Sequence, residues 1–91
     1  MNPLESQQAE DLNHSDTPLL DKSCHRITQE YRLTQRESEI LRYVALGRSA
    51  KYIAEELLIS HNTARTHIKH VYEKLNIHSK QRLIDLILAI E

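Results

Sequence analysis

The sequence predicts an all-α fold of four helices, with no winged element, behind an acidic N-terminal tail. Three observations predict it. Ninety-one residues hold only one Gly and two Pro, too few turn formers for hairpins, phosphate loops or a dinucleotide-binding fingerprint. From Thr34 onward the apolar residues recur with the helical period. Each stripe is preceded by a Thr or Ser at the position of an N-cap. With no Trp, no Phe and four Tyr, the core must be aliphatic, and a chain this short buries only a modest one.

The first predicted helix runs from about Gln35 to Leu46. Thr34 followed by Glu37 is a capping box, and Ile40, Leu41 and Val44 fall on one stripe behind it. Glu37 projects from that same apolar stripe, which is explained if its carboxylate turns back to the N-cap amide. Gly47 stands where a left-handed residue should end the helix. The second helix follows an N-cap Ser49, places Ile53, Ala54 and Leu57 on one face, and ends near Leu58. Ser60 caps a third helix over about 61–75, with Ala64, His67, Ile68, Val71, Tyr72 and Leu75 on one continuous face. Asn76 serves as its left-handed stop. Ser79 caps the fourth, over about 80–91, where Leu83, Ile84, Leu86, Ile87, Leu88 and Ile90 make it apolar nearly all round.

Ahead of these helices the expectation is different. Residues 1–21 show no period and read as a disordered linker or tail, and 22–32 as a partly helical lead-in with Ile27 and Tyr31 on one face. Cys24 reads as a bland thiol in that linker. The net charge of -1 hides an asymmetry: Glu5, Glu10, Asp11, Asp16 and Asp21 make residues 1–21 wholly acidic, with no Lys or Arg. Residues 59–82 hold Arg65, Lys69, Lys74, Lys80 and Arg82 against Glu73 alone, with His61, His67, His70 and His78 among them. A solvated acidic segment therefore leads into a domain that meets something anionic.

Between the second and third helices lies a turn of three or four residues, the spacing of a helix-turn-helix. In such a pair the first helix crosses the DNA backbone and the second enters the major groove. On the outer stripe of the third helix, Arg65 can bond guanine bidentately, Asn62 adenine, Thr66 can meet a thymine methyl, and Lys69 can reach a guanine edge or a phosphate. Ser49, Lys51, Ser60, Thr63, His70, Lys74 and Lys80 are placed to hold phosphates, which fix register without reading sequence. The competing explanation is that any surface helix has a polar stripe, with Glu73 simply pairing with Lys69 at i, i+4. The rival function is a non-DNA protein-interaction module that docks through the fourth helix.

Other chemistry finds little support. His67 and His70 at i, i+3 have no third ligand on their face, so a packing histidine is expected at His67 and no metal or other cofactor. Ser60 and His61 are neighbours whose side chains point apart on a helix start, with no Asp to orient an imidazole. No enzyme is expected. A single Cys cannot form an internal disulfide. No apolar run approaches the roughly 20 residues of a membrane span.

At this stage the residues carry a resemblance. Leu33-Thr34-x-Arg36-Glu37 with Ile40-Leu41, then Gly47, Ile53-Ala54, Leu57, Ile59-Ser60, Thr63, Arg65, His67 and Lys74-Leu75, resembles the LuxR-type DNA-binding domain, also called GerE or FixJ C-terminal. The likeness covers Leu33 to about Ile90, giving a domain over 33–91. It implies a four-helix domain of a bacterial transcriptional regulator, the second and third helices forming the helix-turn-helix and the fourth supporting a homodimer on double-stranded DNA. It places Arg65, Thr66 and Lys69 at base-facing positions and Thr63, His67 and Lys74 at positions usual for the motif. The expected dimer contacts are Leu83, Ile84, Ile87 and Leu88, with one seam of that helix, Leu83, Ile87 and Ile90 or Ile84 and Leu88, left to pack on the domain. RNA polymerase and an upstream sensor domain are further partners such a regulator implies. Ala64 departs from the usual Val, Asn76 from Gly and Lys80 from Arg, the last keeping charge but losing a bidentate fork. The tail IHSKQRLIDLI also resembles a subgroup in which the domain ends a polytopic membrane protein. Location is accordingly expected to be cytoplasmic, at the nucleoid, or tethered where the parent chain carries a membrane domain.

Overall fold

The computed structural model describes residues 19–90, so of the tail expected over residues 1–21 the part from 1 to 18 lies outside the described residues. Five helices follow one another: α1 (19–30), α2 (Gln35–Ala45), α3 (Ala50–Leu57), α4 (His61–Leu75) and α5 (Lys80–Ile90), with no strand among the described residues. The four predicted helices are α2 to α5. In the centre, α4 packs against both α2 and α3, and α5 packs against α2. Ile27, Ile40, Leu41, Ile53, Val71 and Leu83 form the fully buried heart of one aliphatic core.

The N-caps are as the sequence predicts. Thr34 Oγ1 accepts from Glu37 N at 3.1 Å, and Glu37 Oε1 accepts from Thr34 N at 2.8 Å, which closes the capping box. Ser49, Ser60 and Ser79 accept from the amides of Tyr52, Thr63 and Arg82 at 3.1, 3.0 and 3.2 Å.

The helix ends hold a surprise. Gly47 (φ 85°) and Asn76 (φ 55°) are left-handed as expected, but so are Arg32 (φ 56°) and Leu58 (φ 57°). At each, the next amide reaches back to a carbonyl of the last turn: Leu33 to Thr28, Arg48 to Tyr43, Ile59 to Ala54 and Ile77 to Tyr72, all at 2.9–3.0 Å. The same turn thus closes α1, α2, α3 and α4, which is how a chain with one Gly folds back four times. At Leu58 it is costly, because a side chain in the left-handed region is disfavoured by roughly 1–2 kcal/mol. The residue is 91% exposed and packs on nothing that would offset this. Leu58→Gly is expected to raise stability by about 0.5–1 kcal/mol, a gain of several degrees in Tm for a domain of this size, measured by thermal denaturation.

Two expectations need correction. The lead-in is a full helix that already includes residues 19–21, and Cys24 is a core residue of it rather than a linker thiol. Ser23, Cys24 and Ile27 are buried, Leu20 and Tyr31 pack beside them, and small polar-looking residues on that face concealed its period. Thr28 Oγ1 donates to Ser38 Oγ at 2.8 Å and Arg42 pairs with Asp21, so α1 is tied to α2 by polar contacts as well. Burial first, and then the Asp21 charge, push the Cys24 thiol up to about 11 against the opposing effect of Arg42, which leaves it unreactive at neutral pH. The second correction concerns α5. Leu83 and Ile87 are buried in the domain core and cannot form a dimer seam, while Ile84 is half-buried and Leu88 is 61% exposed.

Candidate nucleic-acid interface

Leu58, Ile59 and Ser60 join α3 to α4, a three-residue turn within a helix-turn-helix. Ile53 and Ala54 of α3 are buried in the same core as Ala64 and Val71 of α4, which leaves the opposite stripe of α4 outward. Asn62, Arg65, Thr66 and Lys69 are all exposed on that outer stripe. Ion pairs among the described residues join Arg36 to Glu39, Arg42 to Asp21 and Lys74 to Glu37, so neither Arg65 nor Lys69 is committed to a carboxylate there. The expected pair between Lys69 and Glu73 does not form among them. Both cations line one open groove with Ala50 at the start of α3, and with Tyr72, Glu73 and His78 further along.

Most of the residues expected to hold phosphates gather around the two helix starts. Ser49 and Lys51 flank the beginning of α3, and Ser60 and Thr63 that of α4, all exposed. Ser60 Oγ donates to Thr63 Oγ1 at 2.8 Å while accepting from Thr63 N, so the Thr63 hydroxyl keeps its own proton free to donate. Both starts present amide N–H groups at the positive end of a helix dipole. Lys80 Nζ lies 3.4 Å from where a Cβ on Gly47 would sit, so it reaches the turn that carries Ser49. His70 is exposed on α4, and His67 is half-buried at the edge of its packed face.

Lys74 is the exception. Its ammonium donates to Glu37 Oε1 at 2.7 Å and to the Arg32 carbonyl at 3.3 Å. It therefore fastens the far end of α4 to the start of α2 and to the left-handed turn after α1. Glu37 is only 7% exposed. Burial pushes its carboxyl up, but the hydrogen bonds from Lys74 and the Thr34 amide and the Lys74 charge outweigh that and hold it below the ordinary carboxylate value of 4.5. A depressed folded-state pKa gives stability that is present above the unfolded value and lost as pH falls through the folded one. Glu37→Gln keeps an acceptor for the Thr34 amide but loses the ion pair. We expect it to cost about 1 kcal/mol at pH 7, with the deficit shrinking as pH falls through the lowered carboxyl pKa and the native carboxylate is itself protonated. Urea denaturation of both proteins at pH 7 and pH 3.5 measures this.

One cation escaped the sequence reading. The Arg48 guanidinium lies 5.0 Å over the Tyr52 ring, and Tyr43 meets that ring edge-on with centroids 5.9 Å apart. The stack holds an exposed Arg beside Ser49 and Lys51. An Arg and a Tyr at i, i+4 across a helix start was the available signal.

Comparison with known proteins accords with this geometry. The family described as "Bacterial regulatory proteins, luxR family" matches residues 31–87, from the turn after α1 to the buried Ile87. A nitrate/nitrite response regulator protein homolog of Haemophilus influenzae is 41% identical over 69 residues, 76% of this chain and 33% of that one. The Fimbriae Z protein of Salmonella typhimurium is 47% identical over 53 residues, 58% of this chain and 25% of that one. An uncharacterized response regulatory protein of Escherichia coli, YgeK, is 41% identical over 71 residues, 74% of this chain and 48% of that one. The chain thus spans between a quarter and about half of the length of these curated relatives. No solved structure matches it.

Proposed function

The chain belongs to the luxR family of bacterial regulatory proteins, and from that premise we propose that it binds double-stranded promoter DNA sequence-specifically, with α4 in the major groove. The observation that carries this reading is the outward stripe of Asn62, Arg65, Thr66 and Lys69 on the second helix of the helix-turn-helix, all exposed. Arg65 and Asn62 have the donor geometry for bidentate bonds to guanine and adenine edges, and Thr66 and Lys69 extend the reading frame by one turn. Ser49, Lys51, Ser60, Thr63, His70 and Lys80, with Arg48, hold phosphates on either side and supply a salt-dependent affinity. Nothing in the reading calls for a catalytic step.

A homodimer on two half-sites follows from the exposed Leu88 and the half-buried Ile84 of α5, the outer seam left once Leu83 and Ile87 are assigned to the core. The likeness to response regulators extends the proposal to an output domain governed by an upstream sensor, contacting RNA polymerase, and acting at the nucleoid in the cytoplasm. No described helix is long and apolar enough to cross a membrane. Tethering would therefore fall to another part of a parent chain.

Titration of fluorescent duplex from upstream of the protein's own gene, against random duplex of equal length at two salt concentrations, tests the reading. Binding should weaken as salt rises, by close to one power of salt concentration for each phosphate contact. The promoter duplex should also be preferred. Equal affinity for both duplexes would remove base reading by α4, and absence of binding at low salt by a folded protein would favour docking through α5 onto a protein partner.

A further inference from the structure

The groove beside α4 has a floor that base reading does not use. Its volume is about 740 Å³, within the roughly 300–1,000 Å³ of small-molecule sites. Arg65 and Lys69 form a cationic rim, and behind them Ile68, Tyr72 and Ile77, all half-buried, form an apolar floor. Duplex DNA offers phosphates and polar base edges to the rim but little that would cover that floor. A protein partner is a poor match too, because nine residues border the groove and a stable protein interface engages about 20–30 a side.

The charges along the groove select the kind of small molecule that fits. Arg65, Lys69 and Glu73 follow one another at steps of four on α4, so two cations stand at one end and a carboxylate at the other. Neither cation belongs to an ion pair among the described residues, which leaves both open to an anion. A carboxylate at that end can accept from the Arg65 fork and the Lys69 ammonium together. Glu73 bars a second negative charge at the other end. Between Arg65 and Glu73 the helix rises about 12 Å, a distance that an extended chain of roughly ten carbons spans.

Building on the DNA-binding reading, we propose that this groove binds a free medium-chain monocarboxylate, a fatty-acid anion, with its carboxylate on Arg65 and Lys69 and its chain over Ile68, Tyr72 and Ile77. Both cations belong to the base-reading stripe, so ligand and duplex compete for them and the ligand releases the promoter. Apolar burial acts on one part of the molecule and the charge-assisted hydrogen bonds on the other, so chain length and charge are both required.

The test uses the full chain, titrated without DNA with decanoate kept below its micelle concentration. Saturable shifts of the Ile68 and Ile77 methyl resonances, larger than those at the exposed Leu58 and Leu88, are the expected result. Butyrate and decanedioate should each bind about tenfold more weakly or worse, and decyltrimethylammonium should leave Ile68 and Ile77 unmoved. Arg65→Ala with Lys69→Ala should weaken decanoate binding about tenfold in a chain that melts as the native one does. Equal shifts at Leu58 and Leu88, or an equal response to the cationic chain, would reduce the effect to detergency and overturn the proposal. Equal binding by butyrate or decanedioate, or decanoate binding that survives the double substitution, overturns it as well. Shifts at Ile68 and Ile77 on concentrating the protein alone assign the groove to a second copy, and shifts with phosphatidylglycerol vesicles but not with decanoate assign it to a membrane surface; either result overturns it.

This arm contains no DNA, so it stands or falls separately from the DNA reading. In a second arm, decanoate at about nine times its dissociation constant should weaken duplex binding about tenfold, against acetate at equal ionic strength. Unchanged duplex affinity at that occupancy would overturn the competition.

Discussion

Alanine at both Arg65 and Lys69 should weaken binding to a specific duplex by about 2–4 kcal/mol, some thirty- to a thousandfold, while leaving thermal stability unchanged. Both side chains are exposed, and neither belongs to the described ion pairs or hydrogen bonds, so their loss opens no cavity and strands no buried partner. The single variants should differ in kind. Arg65→Ala removes a bidentate base contact and relaxes specificity at one position of the site. Lys51→Ala, at the start of α3, should weaken specific and random duplex alike and lower the salt slope by about one. Fluorescence anisotropy at two salt concentrations separates them. Full binding by the double variant would remove α4 from the groove.

The contrast between what was and was not legible in the sequence follows from the range of the forces involved. Thr34 with Glu37, Ser49, Ser60 and Ser79 were readable because a cap is decided within four residues. Gly47 and Asn76 were readable because those residue types favour the left-handed region. Arg32 and Leu58 adopt the same conformation against their preference, held there by the turn bonds from Leu33 and Ile59, and no local signal marks them. The Lys74 contact to Glu37 spans 37 positions in the chain, and a basic residue near the exposed side of a recognition helix looks like a phosphate ligand until α2 is packed against it. Helix α1 was underestimated for a related reason. Its buried face includes Ser23 and Cys24, which a search for large apolar residues passes over.

The exposed stripe of α4 was legible because it needs only the helical period. Its register was fixed by Ala64, Val71 and Leu75 on the opposite face, all buried as predicted. The groove floor was not legible. Ile68 and Tyr72 were placed with the packed face, yet they are only half-buried, because neither α3 nor the α4–α5 turn covers them fully. For Tyr72, partial burial also raises the phenol above its ordinary pKa of 10.

On α5 the alternation of Leu and Ile left two seams equivalent by period, and only packing distinguishes them. Leu83→Ala and Leu88→Gln should accordingly fail in opposite ways. Leu83 is fully buried between α5 and the rest of the core. Truncating it removes apolar contacts and leaves a cavity, at about 2–5 kcal/mol. A domain of this size has a total stability of the same order as the upper part of that range, so Leu83→Ala should be partly or wholly unfolded at 37 °C by circular dichroism. Its DNA binding would be lost for that reason alone. Leu88 is mostly exposed, and a polar side chain there should change stability by no more than about 0.5 kcal/mol. If the outer seam joins two copies on DNA, Leu88→Gln should bind an isolated half-site as the native chain does. On a two-half-site duplex it should lose the gain from joint binding, which can reach 10²–10⁴-fold. Half-site and full-site titrations beside a melting curve read both quantities. An unchanged full-site affinity in a folded Leu88→Gln protein would place the dimer contact away from α5, whereas lost stability would mean that Ile84 and Leu88 pack on the domain.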